Sequence, residues 1–445
     1  MPIILLLKKW LVNIDDYCCP KRHITIFPVE IMNKVIFYIL TFITLIMSPM
    51  LLTSSLSDHS NVIECGLTIV LLFVCLILGN NTKVIFNRDR TYSYIVFMFL
   101  FFIITVLYHI TYIKNDEIFY YLQDLLSFIF FIVAFRLFEK NDLNSLYNSW
   151  YKFLCLVCGI VIVCFILYNG GMSFLFLHRN VMGYDIAQIP LVCMMHVDDA
   201  YYNLSRPSWL FAEPSYLGFF LGLQIPLFVK FVLNNKTKGR RLFPLLLYLG
   251  AIVVTNSLTC IVASVISGLY FLIDKKMKIK KLYLVTVIPV SLVFLSTVNL
   301  GDFSNNERIE NSSAGNRQLR LVMALDDISQ MSRDELLWGA GKYRYEENVK
   351  NHEAGYANAY LSMLMCYGGV FVLLYMFLLV IVFKRTSYEF MFVLVGLNST
   401  EISLKPIIFF IFIITYFAYQ ANQQQHINKY RGKVFKNSDA NLVIH

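Results

Sequence analysis

The feature that most constrains this chain is a series of apolar stretches of about 20 residues, separated by short charged connections. About 20 apolar residues in a helix cross the roughly 30 Å hydrocarbon core of a bilayer. Of the 445 residues, 58% are hydrophobic and 15% are charged. Soluble domains are nearer about 25% charged. The pattern predicts an integral membrane protein with several spans and excludes a soluble protein with a single anchor.

Apolar stretches suitable as spans recur along most of the sequence. We place spans near 35–54, 62–80, 92–112, 117–138, 152–169, 214–233, 242–256, 258–273, 282–299, 356–383, 388–400 and 405–420. The pairs 242–256 with 258–273 and 388–400 with 405–420 are short, so each is either two spans or a hairpin that does not fully cross. The predicted fold class is all-α, a polytopic membrane protein of about 12 transmembrane helices. A transmembrane domain at 35–420 would lie between an N-terminal segment, 1–34, and a C-terminal tail, 421–445.

The distribution of Lys and Arg predicts the orientation. Most of the 38 Lys and Arg residues fall in alternate connections, such as NNKTKGRR and DKKMKIKK, whereas SSLSDHSN on the other face has neither. Cytoplasmic loops carry this excess of basic residues. Both termini are therefore predicted to be cytoplasmic. The same distribution accounts for the net charge of +9 without a nucleic-acid partner.

This orientation predicts two long polar segments on the outer face of the membrane. We call residues 170–213 the first polar segment and residues 300–355 the second polar segment. Long connections on a rigid scaffold are where functional residues concentrate. Most of the ten cysteines lie inside apolar runs and only Cys193 falls in a polar segment, so neither a disulfide framework nor a metal site is predicted.

The first polar segment ends in SRPSWLFAEPSYLGFF, where charged residues stand just before an apolar run. Pro214 suits the first position of a helix, which places Glu213 at the positive end of the helix dipole. One interpretation is a helix cap, with Arg206 as the salt-bridge partner of Glu213. The other is that both line an outward-facing cavity, where arginine binds phosphate through its planar fork of donors.

The second polar segment contains SAGNRQLRLVMALDDISQ, which reads as an amphipathic helix. Leu321, Leu325 and Ile328 recur on one face, whereas Arg317 and Arg320 project together from another. The helix either rests on the membrane surface with a solvated face or presents its arginines to an anionic substrate.

The stretch WGAGKYRYEE follows, with Lys342 and Arg344 as further candidate substrate-binding residues. The turn Gly339–Gly341 is predicted to bring backbone N–H groups close to an anion. Since the segment also holds many acidic residues, its basic side chains are either paired or used individually.

Polar residues also precede and interrupt the apolar runs. His352 is either structural or a proton-transfer group, whereas Asn358 and Tyr360 either bind sugar hydroxyls or cap the helix that they begin. Glu64 and Asp124 lie inside apolar runs, where ionisable residues are functional candidates by default. Each either lines a polar cavity, where Asp124 would bind substrate, or pairs with a neighbouring helix.

Arginines, carboxylates and a histidine at one membrane face suit a substrate that carries its own activated phosphate. The sequence contains neither GxxxxGK[ST] nor a Rossmann fingerprint, so nucleotide chemistry is not predicted. A polyprenyl-pyrophosphate-linked sugar would place its lipid among the spans and its pyrophosphate against the arginines.

The stretch RPSWLFAEPSY resembles the signature that opens a middle span in Wzy-type O-antigen and capsule polymerases. AGNRQLR, WGAGKY and ANAYLSMLMCYGG resemble the second outer loop of the same superfamily, which also contains the O-antigen ligases. The resemblance extends to the topology of about twelve spans with two long outer loops.

The resemblance implies a metal-independent glycosyltransferase of the C-type membrane superfamily, without a cofactor, in the cytoplasmic (inner) membrane with its active site facing the periplasm. It would transfer a glycan en bloc from undecaprenyl pyrophosphate to a fresh lipid-linked repeat unit. Arg206, with Arg317 or Arg320, would hold the pyrophosphate, and Glu213 or His352 would accept the hydroxyl proton. The lipid-linked oligosaccharide, the bilayer, a chain-length-determinant protein and a flippase would be its partners.

Two departures from the family pattern bear on the choice of function. Trp209 stands where many members have a small residue, and Ala357 precedes Asn358 where the ligases usually have histidine. The second departure favours a polymerase over a ligase. A lipid-linked oligosaccharide transporter is the other alternative, but flippases usually lack two long outer loops.

Overall fold

The computed structural model describes residues 60–79, 90–113, 118–139, 143–181, 184–190, 192–197, 204–211, 213–234, 242–255, 257–273, 313–352, 356, 358–383, 387–397, 404–406 and 408–417. The spans predicted at 35–54 and 282–299 and both predicted terminal segments lie outside these residues. So do the side chains of Glu64 and Arg317.

Long apolar helices form the body of the protein, as the sequence predicts. They are α1 (Ser60–Gly79), α2 (Arg90–Tyr108), α3 (Ile118–Glu139), α4 (Leu143–Asn169) and, after both polar segments, α12 (Ala359–Phe383). Four described stretches are long and apolar enough to cross a membrane: Thr91–Thr111, Tyr121–Phe138, Trp150–Asn169 and Ala359–Phe383. The mostly helical class is therefore confirmed, whereas the number of about 12 spans stays a prediction.

Shorter helices pack between the long ones. They are α5 (Pro214–Leu223), α6 (Ile225–Asn234), α7 (Leu242–Thr255), α8 (Leu258–Ile273), α13 (Ser387–Gly396) and α14 (Ile408–Phe417). The 14-residue α7 is roughly 21 Å long, which is less than the hydrocarbon core. Because α8 follows α7 almost at once, the two helices form the tightly joined pair that the sequence predicts.

The first polar segment folds into a four-stranded antiparallel sheet, which the all-α prediction did not include. Its strands are β1 (Leu177–Val181), β2 (Tyr184–Ile189), β3 (Cys193–His196) and β4 (Arg206–Trp209), in the order β1-β2-β3-β4. Strands of four to six residues show only two or three alternations of apolar and polar side chains. The hydrophobic pattern of so short a strand is therefore weak beside that of the neighbouring spans.

The second polar segment contains three helices, α9 (Ser313–Ser329), α10 (Arg333–Trp338) and α11 (Lys342–His352). The amphipathic helix predicted in this segment is α9. Its inward side chains Ala324 and Ile328 join a small apolar cluster with Met331, Tyr356 and Met365. By contrast, Leu321 and Leu325, predicted on the same face as Ile328, are exposed.

The two polar segments lie at the same end of the helical body. The sheet follows the C-terminal end of α4, whereas α11 contacts the N-terminal part of α3 through Lys342 and Asp124. A connection as short as the one between Glu139 and Leu143 makes neighbouring helices antiparallel. The start of α3 and the end of α4 are therefore on one side.

Candidate functional site

Strand β4 is held against the end of α4 by a reciprocal pair of hydrogen bonds. The Ser205 N–H donates to Asn169 Oδ1 at 2.9 Å, and Asn169 Nδ2 donates to the Ser205 carbonyl at 3.0 Å. Arg206 follows directly, and its side chain is half-buried. The first candidate arginine is therefore fixed at the rim of the helical body by the backbone beside it.

The chain then turns at Trp209 and reverses. The backbone of Trp209 has φ 53°, in the left-handed region, and the Phe211 N–H donates to the Ser208 carbonyl at 2.9 Å. Such a backbone costs of order 1–3 kcal/mol in a non-glycine residue. The buried indole packs 5.8 Å from Phe153 and 6.4 Å from Phe220. Trp209, which departs from the family pattern, thus anchors the turn between Arg206 and Glu213.

Glu213 is the N-cap residue of α5, and Pro214 occupies the first helical position. Its carboxylate accepts a hydrogen bond from Ser215 Oγ at 2.8 Å rather than from a backbone N–H of the helix. Within the described part of the chain, no ion pair joins Glu213 to Arg206. The predicted cap is therefore correct for the backbone position of Glu213, whereas the predicted salt bridge with Arg206 is not among the ion pairs of the described residues.

The depth of Glu213 follows from the other end of α5. Gln224, just after α5, accepts a hydrogen bond from Trp150 Nε1, and Trp150 begins the candidate span Trp150–Asn169. The ten residues of α5 rise about 15 Å, whereas the 20-residue span is about 30 Å long. Glu213 therefore lies roughly midway along this span, inside the helical body.

The turn between α10 and α11 docks against α12. Gly339 has φ 92° and Gly341 has φ 93°, and the Ala340 N–H donates to the Met365 carbonyl at 2.8 Å. A Cβ on Gly339 would lie 2.6 Å from the Cys366 carbonyl oxygen. On the other side of this contact Gly368, at φ 81°, breaks the regular helix of α12. Each backbone approaches the other because neither carries a side chain there.

Two of the three backbone N–H groups of the Gly339–Gly341 turn are engaged within the protein, so anion binding by this turn stays a prediction. The Gly339 N–H donates to the Glu335 carbonyl at 2.7 Å, and the Lys342 N–H donates to Tyr121 Oη at 3.0 Å. With the Ala340 N–H bound to Met365, these donors are all engaged within the protein. The turn is a docking element.

Lys342 and Asp124, both predicted to bind substrate, bind each other. Lys342 Nζ lies 2.7 Å from Asp124 Oδ2, and the Tyr367 hydroxyl donates to the same carboxylate oxygen. Desolvation lowers the pKa of Lys342, but the Asp124 carboxylate outweighs it and raises that pKa above its usual value. The pair joins the second polar segment to α3, and a substrate role for either residue stays a prediction.

A histidine that sequence analysis did not single out supports the same contact. His109 lies in a π-turn, His109–Ile113, that follows α2. The Trp338 carbonyl can only accept, so His109 Nε2 donates to it at 2.8 Å. His109 Nδ1 then lies 3.0 Å from the Tyr121 hydroxyl. The ends of α2 and α3 thus hold α10 and α11 by side-chain hydrogen bonds.

His352 lies beside a carboxylate that the sequence analysis also missed. His352 Nε2 is 3.2 Å from Asp327 Oδ2 and 3.3 Å from Asp327 Oδ1, and Tyr356 Oη donates to Asp327 Oδ2 at 2.7 Å. Burial raises the pKa of Tyr356; the hydrogen bond from Asn348 opposes this, and the Asp327 carboxylate adds to it. The carboxylate orients the imidazole across the gap between α9 and α11, which suits a general base. The spacing of Asp327 from His352 gave no signal, because their contact is made across two helices.

The remaining candidates have mixed outcomes. Arg344 Nη1 lies 2.5 Å from Glu335 Oε1, so this arginine is paired within the segment. Asn358 caps α12, since its Oδ1 accepts from the N–H groups of Tyr360 and Leu361 at 3.0 and 3.1 Å. Arg320 on α9 is half-buried. Catalytic or binding roles for these residues stay predictions.

Among the described residues, no three or more His, Cys, Asp or Glu side chains are grouped to hold a metal ion. The chain matches no protein-family model, and no curated protein or solved structure matches it. Fold and site together define a mostly helical protein with four candidate membrane-spanning helices and two structured polar segments at one end.

Proposed function

We propose that this protein polymerises polyprenyl-pyrophosphate-linked oligosaccharide repeat units into O-antigen or capsular polysaccharide. In this proposal it is a multi-pass glycosyltransferase of the cytoplasmic membrane, and both polar segments face the periplasm. The observation that carries the proposal is the placement of residues 205–211 and 213–215 between the rim of the helical body and its middle. Among these residues Arg206 and Glu213 stand on either side of an apolar turn.

This placement suits an amphiphilic substrate. A guanidinium at the rim lies where the pyrophosphate of a membrane lipid would sit, and it forms bidentate hydrogen bonds with phosphate oxygens. Aromatic side chains, among them Trp209, Phe211 and Phe220, pack against one another in the deeper part next to it. Irregular backbone at membrane depth is tolerated only where protein buries it or where it lines a cavity. The strand and turn meet the first condition, since Ser208, Trp209 and Leu210 are buried, and in this proposal the substrate binds beside them.

The proposed reaction needs one base and one cationic group. An acceptor hydroxyl oxygen attacks the anomeric carbon, the bond from that carbon to the pyrophosphate oxygen breaks, and polyprenyl pyrophosphate leaves with the electron pair. The hydroxyl proton passes to a base, for which Glu213 and His352 are the two candidates. Arg206, with Arg317 or Arg320, stabilises the charge that develops on the leaving pyrophosphate.

The geometry supports the two candidate bases differently. His352 lies 3.2 Å from Asp327 Oδ2, an arrangement that fixes a tautomer and leaves Nδ1 for substrate. Glu213 is the N-cap residue of α5, and its carboxylate already accepts a hydrogen bond from Ser215 Oγ at 2.8 Å.

Reconstitution tests the proposal directly. The purified full-length protein, in phosphatidylethanolamine–phosphatidylglycerol vesicles, is given lipid-linked repeat units extracted from cells that lack its gene. We expect lipid-linked glycans of two or more repeat units by mass spectrometry, together with free polyprenyl pyrophosphate. Unchanged repeat units would contradict the proposal. If glycans move to a lipid A core acceptor instead, the protein is a ligase; if units only cross the bilayer, it is a transporter.

A further inference from the structure

The segment Leu336–Trp338, at the end of α10, packs against the sides of two candidate spans. A Cβ on Gly369 would lie 3.2 Å from the Leu336 carbonyl oxygen, and one on Gly368 would meet the Leu337 carbonyl. The Trp338 ring stacks on Phe101 of α2 at 5.9 Å. The end of α10 is therefore wedged between α2 and α12 rather than held above them.

The contact with α12 lies well inside that span, since Gly369 is about ten residues, or about 15 Å, from the start of Ala359–Phe383. On α2 the Trp338 ring reaches Phe101, whereas the Trp338 carbonyl is bound by His109 close to the end of Thr91–Thr111. The hydrocarbon core of a bilayer is about 30 Å thick. The end of α10 therefore reaches the depth of acyl chains on the side of the polar segments.

Apolar side chains on both α10 and α9 point away from the protein. Leu337 is 51% exposed and its neighbour Leu336 is also exposed. On α9, which packs beside α12, Leu321, Leu325 and Val322 are exposed, Val322 at 57%. These five residues, Leu321, Val322, Leu325, Leu336 and Leu337, we call the leucine rim.

The leucine rim continues an apolar surface of the spans. On α2, which holds Trp338, the exposed residues Phe97, Leu100, Ile104 and Leu107 recur at spacings of three and four and form one stripe. Only 28% of the Thr91–Thr111 stretch is buried inside the protein. An exposed apolar face on a span of this composition faces lipid.

We propose that the leucine rim is inserted into the acyl chains of the bilayer leaflet on the polar-segment side, so that α9 and α10 form a membrane-embedded shelf. The polar residues Arg333 and Asp334 at the start of α10 are exposed and would lie at the headgroups. Amphipathic helices bury an apolar face about 5–10 Å into this boundary in the same way. Because the end of α10 lies at the depth of acyl chains, lipid rather than water or a soluble partner would contact the leucine rim. This inference rests on the membrane character of the chain and not on its proposed activity.

Photo-crosslinking of the full-length protein tests the shelf. Benzoylphenylalanine replaces Val322 or Leu337 in separate variants, in vesicles of phosphatidylethanolamine and phosphatidylglycerol. Leu100, on the lipid-facing stripe, is the positive control, and the exposed Glu347 on α11 is the negative control. Lipid adducts are identified by intact-protein mass spectrometry.

We expect adduct yields at 322 and 337 similar to that at 100 and at least about tenfold above that at 347. Yields at both positions no higher than at 347, with position 100 labelled, would overturn the proposal. A crosslinked dimer in place of lipid adducts would also overturn it, because the rim would then be an interface between two copies. Melting temperatures of the 322 and 337 variants equal to that of the wild type show that each variant is folded, so that missing lipid adducts count against the proposal.

Discussion

Lys342 Nζ lies 2.7 Å from Asp124 Oδ2, and the two side chains are 14% and 9% exposed. The pair joins a helix of the second polar segment to a candidate span more than 200 positions earlier in the sequence. Tyr121 and Tyr367 complete it, since the Tyr121 hydroxyl accepts from the Lys342 N–H and the Tyr367 hydroxyl donates to Asp124. The polar segment is thereby fixed on the helical body.

Breaking this ion pair on one side should destabilise the protein strongly. Asp124→Asn leaves a buried ammonium without its partner, and Lys342→Met leaves a buried carboxylate. Removing one partner of a buried pair costs about 3–5 kcal/mol, whereas replacing both is much milder. Thermal unfolding of the purified protein in detergent should show both single variants less stable than the double variant. Single variants as stable as the wild type would show that the pair is not buried in solution.

The backbone contact between the α10–α11 turn and α12 should tolerate no side chain. Gly368→Ala adds a Cβ against the Leu337 carbonyl at φ 81°, so both the space and the backbone oppose it. We expect a loss of at least about 1–3 kcal/mol in stability. Gly159→Ala, where a Cβ on α4 meets nothing within 4 Å, is the control and should stabilise by up to about 1 kcal/mol. Equal melting temperatures for the two variants would contradict the docking.

At the start of α10, Ser332 and Glu335 exchange hydrogen bonds in a capping box. This capping box should make the stability of the protein depend on pH. Burial would raise the pKa of Glu335, but hydrogen bonds from Ser332 and the charge of Arg344 outweigh it and lower that pKa below its usual value. Because the folded pKa is lowered, the stabilisation is present above the unfolded pKa and is lost as pH falls through the folded pKa. Glu335→Gln should lower the melting temperature at pH 7 and converge with the wild type in acid. Ser332→Ala should cost about 1 kcal/mol at pH 7. A difference in melting temperature between wild type and Glu335→Gln that stays constant from pH 7 into acid would contradict the lowered pKa of Glu335.

Arg206 should be needed for activity and not for folding. Arg206→Ala should abolish long polymer, whereas Arg206→Lys should restore it only in part, because lysine lacks the bidentate fork. The matched control is Arg179→Ala on β1, at the opposite edge of the same sheet. Polymer length is read from gels of surface glycan, and membrane levels are read from immunoblots. Full-length polymer from Arg206→Ala at normal protein levels would rule out the phosphate-binding role, as would equal loss in Arg179→Ala.

The two candidate bases can be distinguished by matched substitutions. If His352 is the base, His352→Gln should reduce polymerisation in reconstituted vesicles by about 100-fold or more, and Asp327→Asn should reduce it less. In that case Glu213→Gln retains activity. If Glu213 is the base, Glu213→Gln should show the large loss of polymerisation and His352→Gln should retain activity. Asp185→Asn, on an exposed strand residue, is the control for loss of a carboxylate. Normal activity in both His352→Gln and Glu213→Gln would mean that neither is the base.

The sequence predicted the helices well and the contacts poorly, for a physical reason. A span such as Trp150–Asn169 carries its signal in every residue, because a bilayer requires about 20 apolar residues in a row. The sheet at 177–209 lies between such spans, where strands of four to six residues carry little periodicity. The α7–α8 pair was predicted because two short apolar runs follow each other with only a short interruption between them.

The candidate site was predicted as a set of residues and not as an arrangement. Charge and position selected Lys342 and Asp124, but their pairing depends on Gly368, which breaks α12 and admits the turn. Asp327 was overlooked, because an aspartate on an amphipathic helix is usually solvated. Its contact with His352 exists only after α9 and α11 pack together.

The surface glycolipid of cells that lack this gene tests the central proposal most directly. A polymerase without a substitute should leave core carrying a single repeat unit and no long-chain ladder, and the plasmid-borne gene should restore the ladder. Loss of every band above bare core would indicate a ligase or a flippase. An unchanged ladder and unchanged capsule would contradict the role in polysaccharide synthesis altogether.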